Sequence, residues 1–127
     1  LRNWVLVVED HADTLEALLE VLGEAGFAAR GAASLGDALQ RMKGTLPALV
    51  LSDFVLGGET GSDLFEQARS LFGTETPPFI FITGLPVSHV EVRTPATILH
   101  KPLSIDALLK TVGQYCPRAT EHTPGPL

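Results

Sequence analysis

Trp4-Val5-Leu6-Val7-Val8, running directly into Glu9-Asp10, decides how this chain is organised. The run is short, continuous and rich in β-branched residues, with no polar alternation. A strand of that kind is buried on both faces, as strands of parallel sheets are. Parallel strands need crossovers, and the next segment supplies one. Leu15, Leu18, Leu19 and Leu22 fall at the spacing of one helical face, and Gly26 closes the helix.

The same alternation continues outward. Phe27 to Ala32 reads as a weak strand, and Ser34 caps a helix striped by Leu35, Ala38, Leu39 and Met42. After Pro47, Ala48-Leu49-Val50-Leu51 is a buried strand ending at Ser52-Asp53. A Gly-rich loop, Gly57 to Gly61, leads into a helix carrying Leu64, Ala68, Leu71 and Phe72, which Pro77-Pro78 breaks. Phe79-Ile80-Phe81-Ile82 is a further strong strand, and Ala96 to Leu99 a short one. Ser104 caps a last helix with Ile105, Leu108, Leu109 and Val112. Strand and helix thus alternate five times, with residues 85–95 ambiguous. This pattern predicts an α/β chain, a parallel sheet between two helical layers.

Bulk composition narrows the function. The chain has 127 residues, one domain by length, and is 45% apolar and 19% charged. Its formal charge of -6 argues against nucleic acid, whose phosphates call for a basic footprint. Cys116 is the only cysteine, which excludes an internal disulfide and a cysteine-based metal site and points to a reducing, cytoplasmic setting. No apolar run has the length of a membrane span, so no membrane partner is expected. The chain does not begin with Met, and its first strand starts almost at once, so a segment of a longer protein is expected.

In an open parallel sheet, functional groups gather beyond the carboxyl ends of the strands. Those ends carry Glu9-Asp10, Asp53, Thr83 and Lys101. Carboxylates crowded on one rim repel each other unless a cation neutralises them, and a hard divalent ion such as Mg²⁺ suits an all-oxygen set. A carboxylate nucleophile flanked by a metal, an ammonium and a hydroxyl is an arrangement for phosphoryl transfer. Each feature taken singly has a plainer reading: Glu9-Asp10 as a solvated acidic turn, Asp53 as a turn residue, Lys101 as a surface lysine. Their joint placement at four strand ends outweighs those readings.

Val7-Val8-Glu9-Asp10, Leu51-Ser52-Asp53, Thr83-Gly84 and Lys101-Pro102 resemble, in this order, the receiver domains of response regulators. The resemblance spans about Trp4 to Tyr115. It implies a three-layer α/β/α, flavodoxin-like fold with a five-stranded sheet in the order 2-1-3-4-5, occupying residues 1–116 before a disordered tail over 117–127. It also implies that Asp53 accepts a phosphoryl group from a histidine kinase or histidine phosphotransfer domain. Asp10 and Asp53 would hold Mg²⁺ directly, Val55 through its backbone carbonyl and Glu9 through water. Thr83 and Lys101 would contact the phosphoryl oxygens, and the Lys101-Pro102 bond would be cis. Such a domain is no enzyme beyond its own phosphorylation and a slow autophosphatase reaction.

The sequence departs from the family's pattern in several places. Gly57 stands where receivers usually carry Pro, which predicts a looser loop. The switch pair would be Thr83 with Ile98, where the family usually has an aromatic residue. Eighteen positions separate Thr83 from Lys101, about one helical turn fewer than usual, and Pro86 and Pro95 fall between them. The fourth crossover helix is therefore expected to be short, irregular or absent, on the face through which receivers commonly form homodimers. Val55 and Leu85 flank the path of hydrolytic water with apolar groups, which predicts slow dephosphorylation.

Other residues carry less. His11 follows the acid pair where a helix begins, and its ring is expected to face solvent. His89, His100 and His122 lack metal-ligand spacing, and Cys116 reads as a packed small apolar residue. Of the alternatives, a degenerate receiver that binds partners without phosphorylation leaves the intact acid pair, Asp53, Thr83 and Lys101 unexplained. A haloacid-dehalogenase-type phosphatase needs a second acid two positions after its nucleophile, where this chain has Val55. A flavodoxin-like cofactor binder would not place Glu9-Asp10 against a phosphate.

Overall fold

A computed structural model of the chain describes residues 2–84 and 96–118. The elements are β1 (Trp4–Val8), α1 (Ala12–Glu24), β2 (Ala28–Ala32), α2 (Leu35–Gly44), β3 (Leu49–Asp53), β4 (Val55–Leu56), β5 (Glu59–Thr60), α3 (Gly61–Phe72), β6 (Phe79–Thr83), β7 (Thr97–His100) and α4 (Ile105–Gly113). Five strands form one parallel sheet in the order β2-β1-β3-β6-β7. Counting only these strands, that is the expected order 2-1-3-4-5. The helix expected between the fourth and fifth strands of this sheet lies outside the described residues.

Every residue of β1, β3 and β6 is buried, and successive side chains divide between two cores. Trp4, Leu6, Val8, Val50, Phe79 and Phe81 face α2 and α3, meeting Ala38, Met42, Leu64 and Ala68. Val5, Val7, Leu49, Leu51, Ile80 and Ile82 face the other way, onto Leu18 and Leu22 of α1 and Leu108 and Val112 of α4. A strand with period-two side chains and two covered faces has no position left for a polar residue until it ends. This is why the runs are continuous and why the polar residues come at the rim. Each fully buried Leu or Ile contributes roughly 1.5–3 kcal/mol relative to exposure.

Three helix starts carry side-chain caps. Ser34 accepts from the backbone N–H of Asp37, and Ser104 from that of Ala107. Thr60 and Asp63 cap α3 reciprocally: Thr60 Oγ1 accepts from the Asp63 N–H at 3.1 Å, and Asp63 Oδ2 from the Thr60 N–H at 2.8 Å. In α4 the buried stripe is narrower than the periodicity implies, since Ile105 in its first turn is 48% exposed. Cys116 is buried against the α1–α4 core, and burial pushes its thiol up from the ordinary value.

One expectation is revised. The Gly-rich segment after β3 is no open loop: β4 and β5 form an antiparallel hairpin, Val55 opposite Thr60 and Leu56 opposite Glu59. Gly57 begins its two-residue turn with φ at +64°, a conformation closed to proline, whose ring holds φ near -65°. At the other end, the Arg118 guanidinium lies 5.1 Å from the Phe27 ring centroid; residues 119–127 of the expected tail lie outside the described residues.

Candidate phosphoacceptor site

Register brings the strand ends to one rim. Val8 pairs with Ser52, and Asp53 pairs with Ile82, so Glu9, Asp53 and Thr83 sit at neighbouring ends of β1, β3 and β6. Thr83 pairs with His100, and the Lys101 N–H donates to the Thr83 carbonyl at 2.9 Å, which extends the ladder to the base of the lysine. The Lys101-Pro102 peptide bond is cis, as expected. Lys101 Nζ lies 3.3 Å from Asp53 Oδ1. The Asp53 side chain is 11% exposed and that of Lys101 47% exposed, so this ion pair sits at the mouth of the rim.

Backbone bonds hold Asp53 in place. Phe54 donates its N–H to the Ile82 carbonyl at 2.8 Å, and Gly61 its N–H to the Phe54 carbonyl at 2.7 Å. The Ser52 hydroxyl, fully buried, donates to the Asp53 carbonyl at 2.8 Å. Asp53 is thus fixed from the strand below and from the start of α3. The turn of the β4–β5 hairpin approaches the acids too: a Cβ placed on Gly57 would lie 3.9 Å from Asp10 Oδ2.

Glu9 is 3% exposed, and its Oε2 accepts the His11 N–H at 3.1 Å. Burial pushes its carboxyl above the ordinary carboxylate range, and the charge of Asp53 and a hydrogen bond with Asp10 push the same way. The His11 N–H and the Lys101 charge only partly oppose this. The rim therefore carries more negative charge than Lys101 offsets, and its donors are carboxylate oxygens. That donor set fits a hard divalent cation. Val55 follows two residues after Asp53, with its side chain exposed.

Glu9, Asp10, Asp53, Thr83 and Lys101 therefore lie at or beside one rim. Ile98 is half-buried in β7, paired in register with Phe81 of β6, and β6 separates it from the strand that ends in Asp53. Leu85 lies outside the described residues. Sequence reasoning missed the approach of His11: its ring is exposed, as expected, yet its Nδ1 lies 3.4 Å from Glu9 Oε2 and 3.5 Å from Asp10 Oδ1. Adjacency to the acid pair was the only signal for it. A hollow of about 320 Å³ opens beside the rim between α1 and the cis-proline turn, lined in part by Thr14, Leu18 and Leu103.

Comparison with known proteins agrees with this geometry. Residues 5–113 match the profile of the response regulator receiver domain. An uncharacterised 14.6 kDa protein of Leptolyngbya boryana is 31% identical over 118 residues, which is 88% of each chain. Among solved structures, a CheY-like response regulator receiver domain from Methylobacillus flagellatus superposes with a TM-score of 0.79 at 26% identity, covering 91% of this chain and 99% of that one. The receiver domain of the hybrid histidine kinase CckA superposes with a TM-score of 0.72 at 29% identity, covering 89% and 98%. With the fold, the strand-end acids and the lysine in agreement, the chain belongs to the response regulator receiver domain family of two-component signalling.

Proposed function

We propose that Asp53 receives a phosphoryl group from the phosphohistidine of a histidine kinase or histidine phosphotransfer domain, and that the chain signals through the resulting change in shape. The observation that carries this reading is the 3.3 Å pair between Lys101 Nζ and Asp53 Oδ1 on a rim shared with Glu9 and Asp10. An Asp53 oxygen attacks phosphorus, the P–N bond to the donor imidazole breaks, and an acyl phosphate forms. The Lys101 ammonium offsets charge on the phosphoryl oxygens, and the Thr83 hydroxyl donates a hydrogen bond to one of them. Asp10 and Asp53 would hold Mg²⁺ with the Val55 carbonyl, and Glu9 would reach it through water. The ion, when bound, supplies positive charge that lets an anionic acceptor approach an anionic donor. Thr83 and Ile98 would relay the change to the surface.

The domain then turns over no separate substrate: its chemistry is its own phosphorylation and a slow hydrolysis, in a cytoplasmic setting. No helix among the described residues is long and apolar enough to cross a membrane. The test is incubation with Mg²⁺ and acetyl phosphate, followed by mass spectrometry. One base-labile phosphoryl group on the wild type, absent from Asp53→Asn, is the expected result. Equal labelling of the variant refutes Asp53 as acceptor, and no labelling of the wild type favours a phosphorylation-independent interaction module.

A further inference from the structure

Asp53 stands where the backbone ladder runs out. In β3 the Val50 N–H donates to the Pro78 carbonyl and the Phe54 N–H to the Ile82 carbonyl, so the even-numbered residues point their backbone groups at β6. Backbone groups alternate along a strand, and those of Asp53 therefore point the other way, towards β1. Pairing with β1 stops at Val8 and Ser52, one step short of the N–H that would serve the Asp53 carbonyl. Among the described residues, no strand partner completes the ladder there. The Ser52 hydroxyl does so instead, donating to the Asp53 carbonyl at 2.8 Å from a side chain with no exposure. The start of α3 closes over the same oxygen, since a Cβ on Gly61 would lie 3.3 Å from it. A buried carbonyl stripped of its donor is more unfavourable than the net worth of the lost bond, so the peptide would turn to find another.

We infer that Ser52 is a positioning residue for phosphorylation: its hydroxyl holds the Asp53 peptide plane, and through the shared Cα holds the carboxylate in line for attack on phosphorus. The inference rests on Asp53 being the phosphoryl acceptor. Asp53 Oδ1 stands 3.3 Å from Lys101 Nζ, and a turned peptide carries the carboxylate away from that partner. A misplacement of about 1 Å can slow a reaction by about a hundredfold, because reacting atoms must meet in line. The alternative role for Ser52 is to fill space in the buried sheet, where any small residue serves. The two roles separate under substitution. Filling space governs how stable the domain is, whereas positioning governs how fast the folded domain reacts.

The experiment follows phosphorylation by acetyl phosphate in Mg²⁺ over a range of donor concentrations, with urea unfolding of each protein alongside. The proteins are wild type, Ser52→Ala, Ser52→Cys, Val50→Ala and Asp53→Asn. In Ser52→Ala the rate constant at saturating donor is expected to fall about tenfold, while the half-saturating donor concentration stays within about twofold. Should alanine leave the domain unfolded, Ser52→Cys takes its place: cysteine is close to serine in size but only a weak donor, and slowing is again expected. Val50→Ala truncates a buried neighbour on the same strand without touching the carbonyl bond, and is expected to lose stability and keep the wild-type rate. A wild-type rate in the folded Ser52 variant would overturn Ser52 as a positioning residue and leave Asp53 as acceptor standing. Equal slowing in Val50→Ala would overturn it too, by making the effect one of stability. Equal labelling of Asp53→Asn, or no labelling of the wild type, would overturn the acceptor itself, and the inference with it.

Discussion

Gly61 and Phe81 touch so closely that the site depends on the glycine having no side chain. A Cβ on Gly61 would lie 2.6 Å from Cε1 and 2.7 Å from Cδ1 of the Phe81 ring, and 3.3 Å from the Asp53 carbonyl oxygen. The ring cannot easily yield, because Phe81 is fully buried and stacks edge-on against Phe54 at 5.7 Å between centroids. This contact seats the first residue of α3 against the strand neighbouring the one that ends in Asp53.

Gly61→Ala is therefore expected to destabilise the fold by about 1–3 kcal/mol, the usual cost of overpacking. Urea unfolding measures it, and a cycle with Phe81→Leu identifies the cause. The loss caused by Gly61→Ala should be smaller in the Phe81→Leu background. An equal loss in both backgrounds would mean that some other contact is responsible.

Gly57→Pro is expected to destabilise the domain although receivers commonly carry proline there. The φ of +64° at Gly57 is one that proline cannot adopt, so the β4–β5 turn must break or rearrange. Gly57→Ala keeps the backbone N–H but pays for the positive φ, at about 1 kcal/mol. The expected order of unfolding midpoints is wild type, then Gly57→Ala, then Gly57→Pro. A proline variant as stable as wild type would show that the hairpin is not maintained in solution.

Glu9 is expected to make stability depend on pH and on added metal. Its carboxyl is raised in the folded chain, chiefly by burial and then by Asp53 and Asp10, so the folded state holds its proton more tightly than the unfolded state does. The stability associated with that proton is complete below the ordinary carboxylate range and is lost as pH rises through the raised value. Without metal, Glu9→Gln should thus be more stable than wild type at neutral pH, and the advantage should vanish in acid. Added Mg²⁺ should stabilise the wild type more than the variant. Thermal unfolding across pH, with and without EDTA, decides it: a variant less stable than wild type at neutral pH in EDTA would contradict this reading of Glu9.

Val55 bears on how long a phosphoryl group would remain on Asp53. Its side chain is 45% exposed two residues after Asp53, and that side chain has no atom that can orient water. Val55→Asn supplies one and is expected to speed hydrolysis about tenfold, a change of about 1.4 kcal/mol in barrier. The check is to phosphorylate both proteins, remove the donor and follow decay in Mg²⁺. Equal lifetimes would show that this position does not control hydrolysis here.

The five strands of the parallel sheet and the residues at their ends were legible from local pattern. Trp4 to Val8, Leu49 to Leu51 and Phe79 to Ile82 announce themselves as strands covered on both faces, because period-two burial leaves no place for polar residues within them. Glu9, Asp10, Asp53, Thr83 and Lys101 were legible for the same reason: they fall within two positions of the end of each run. The tertiary structure alone decided how those ends meet. The fit of Gly61 against Phe81 spans twenty residues of chain, and the Asp53 and Lys101 charges that act on Glu9 come from strand ends distant in sequence. The positive φ of Gly57 belongs to a hairpin whose pairing Val55 and Thr60 complete, and the reach of His11 back to Glu9 and Asp10 depends on how α1 leaves the sheet. Periodicity is a local property of the chain and can be read residue by residue. Close approach, positive φ and electrostatic environment depend on distances between elements, which exist only once the sheet has assembled.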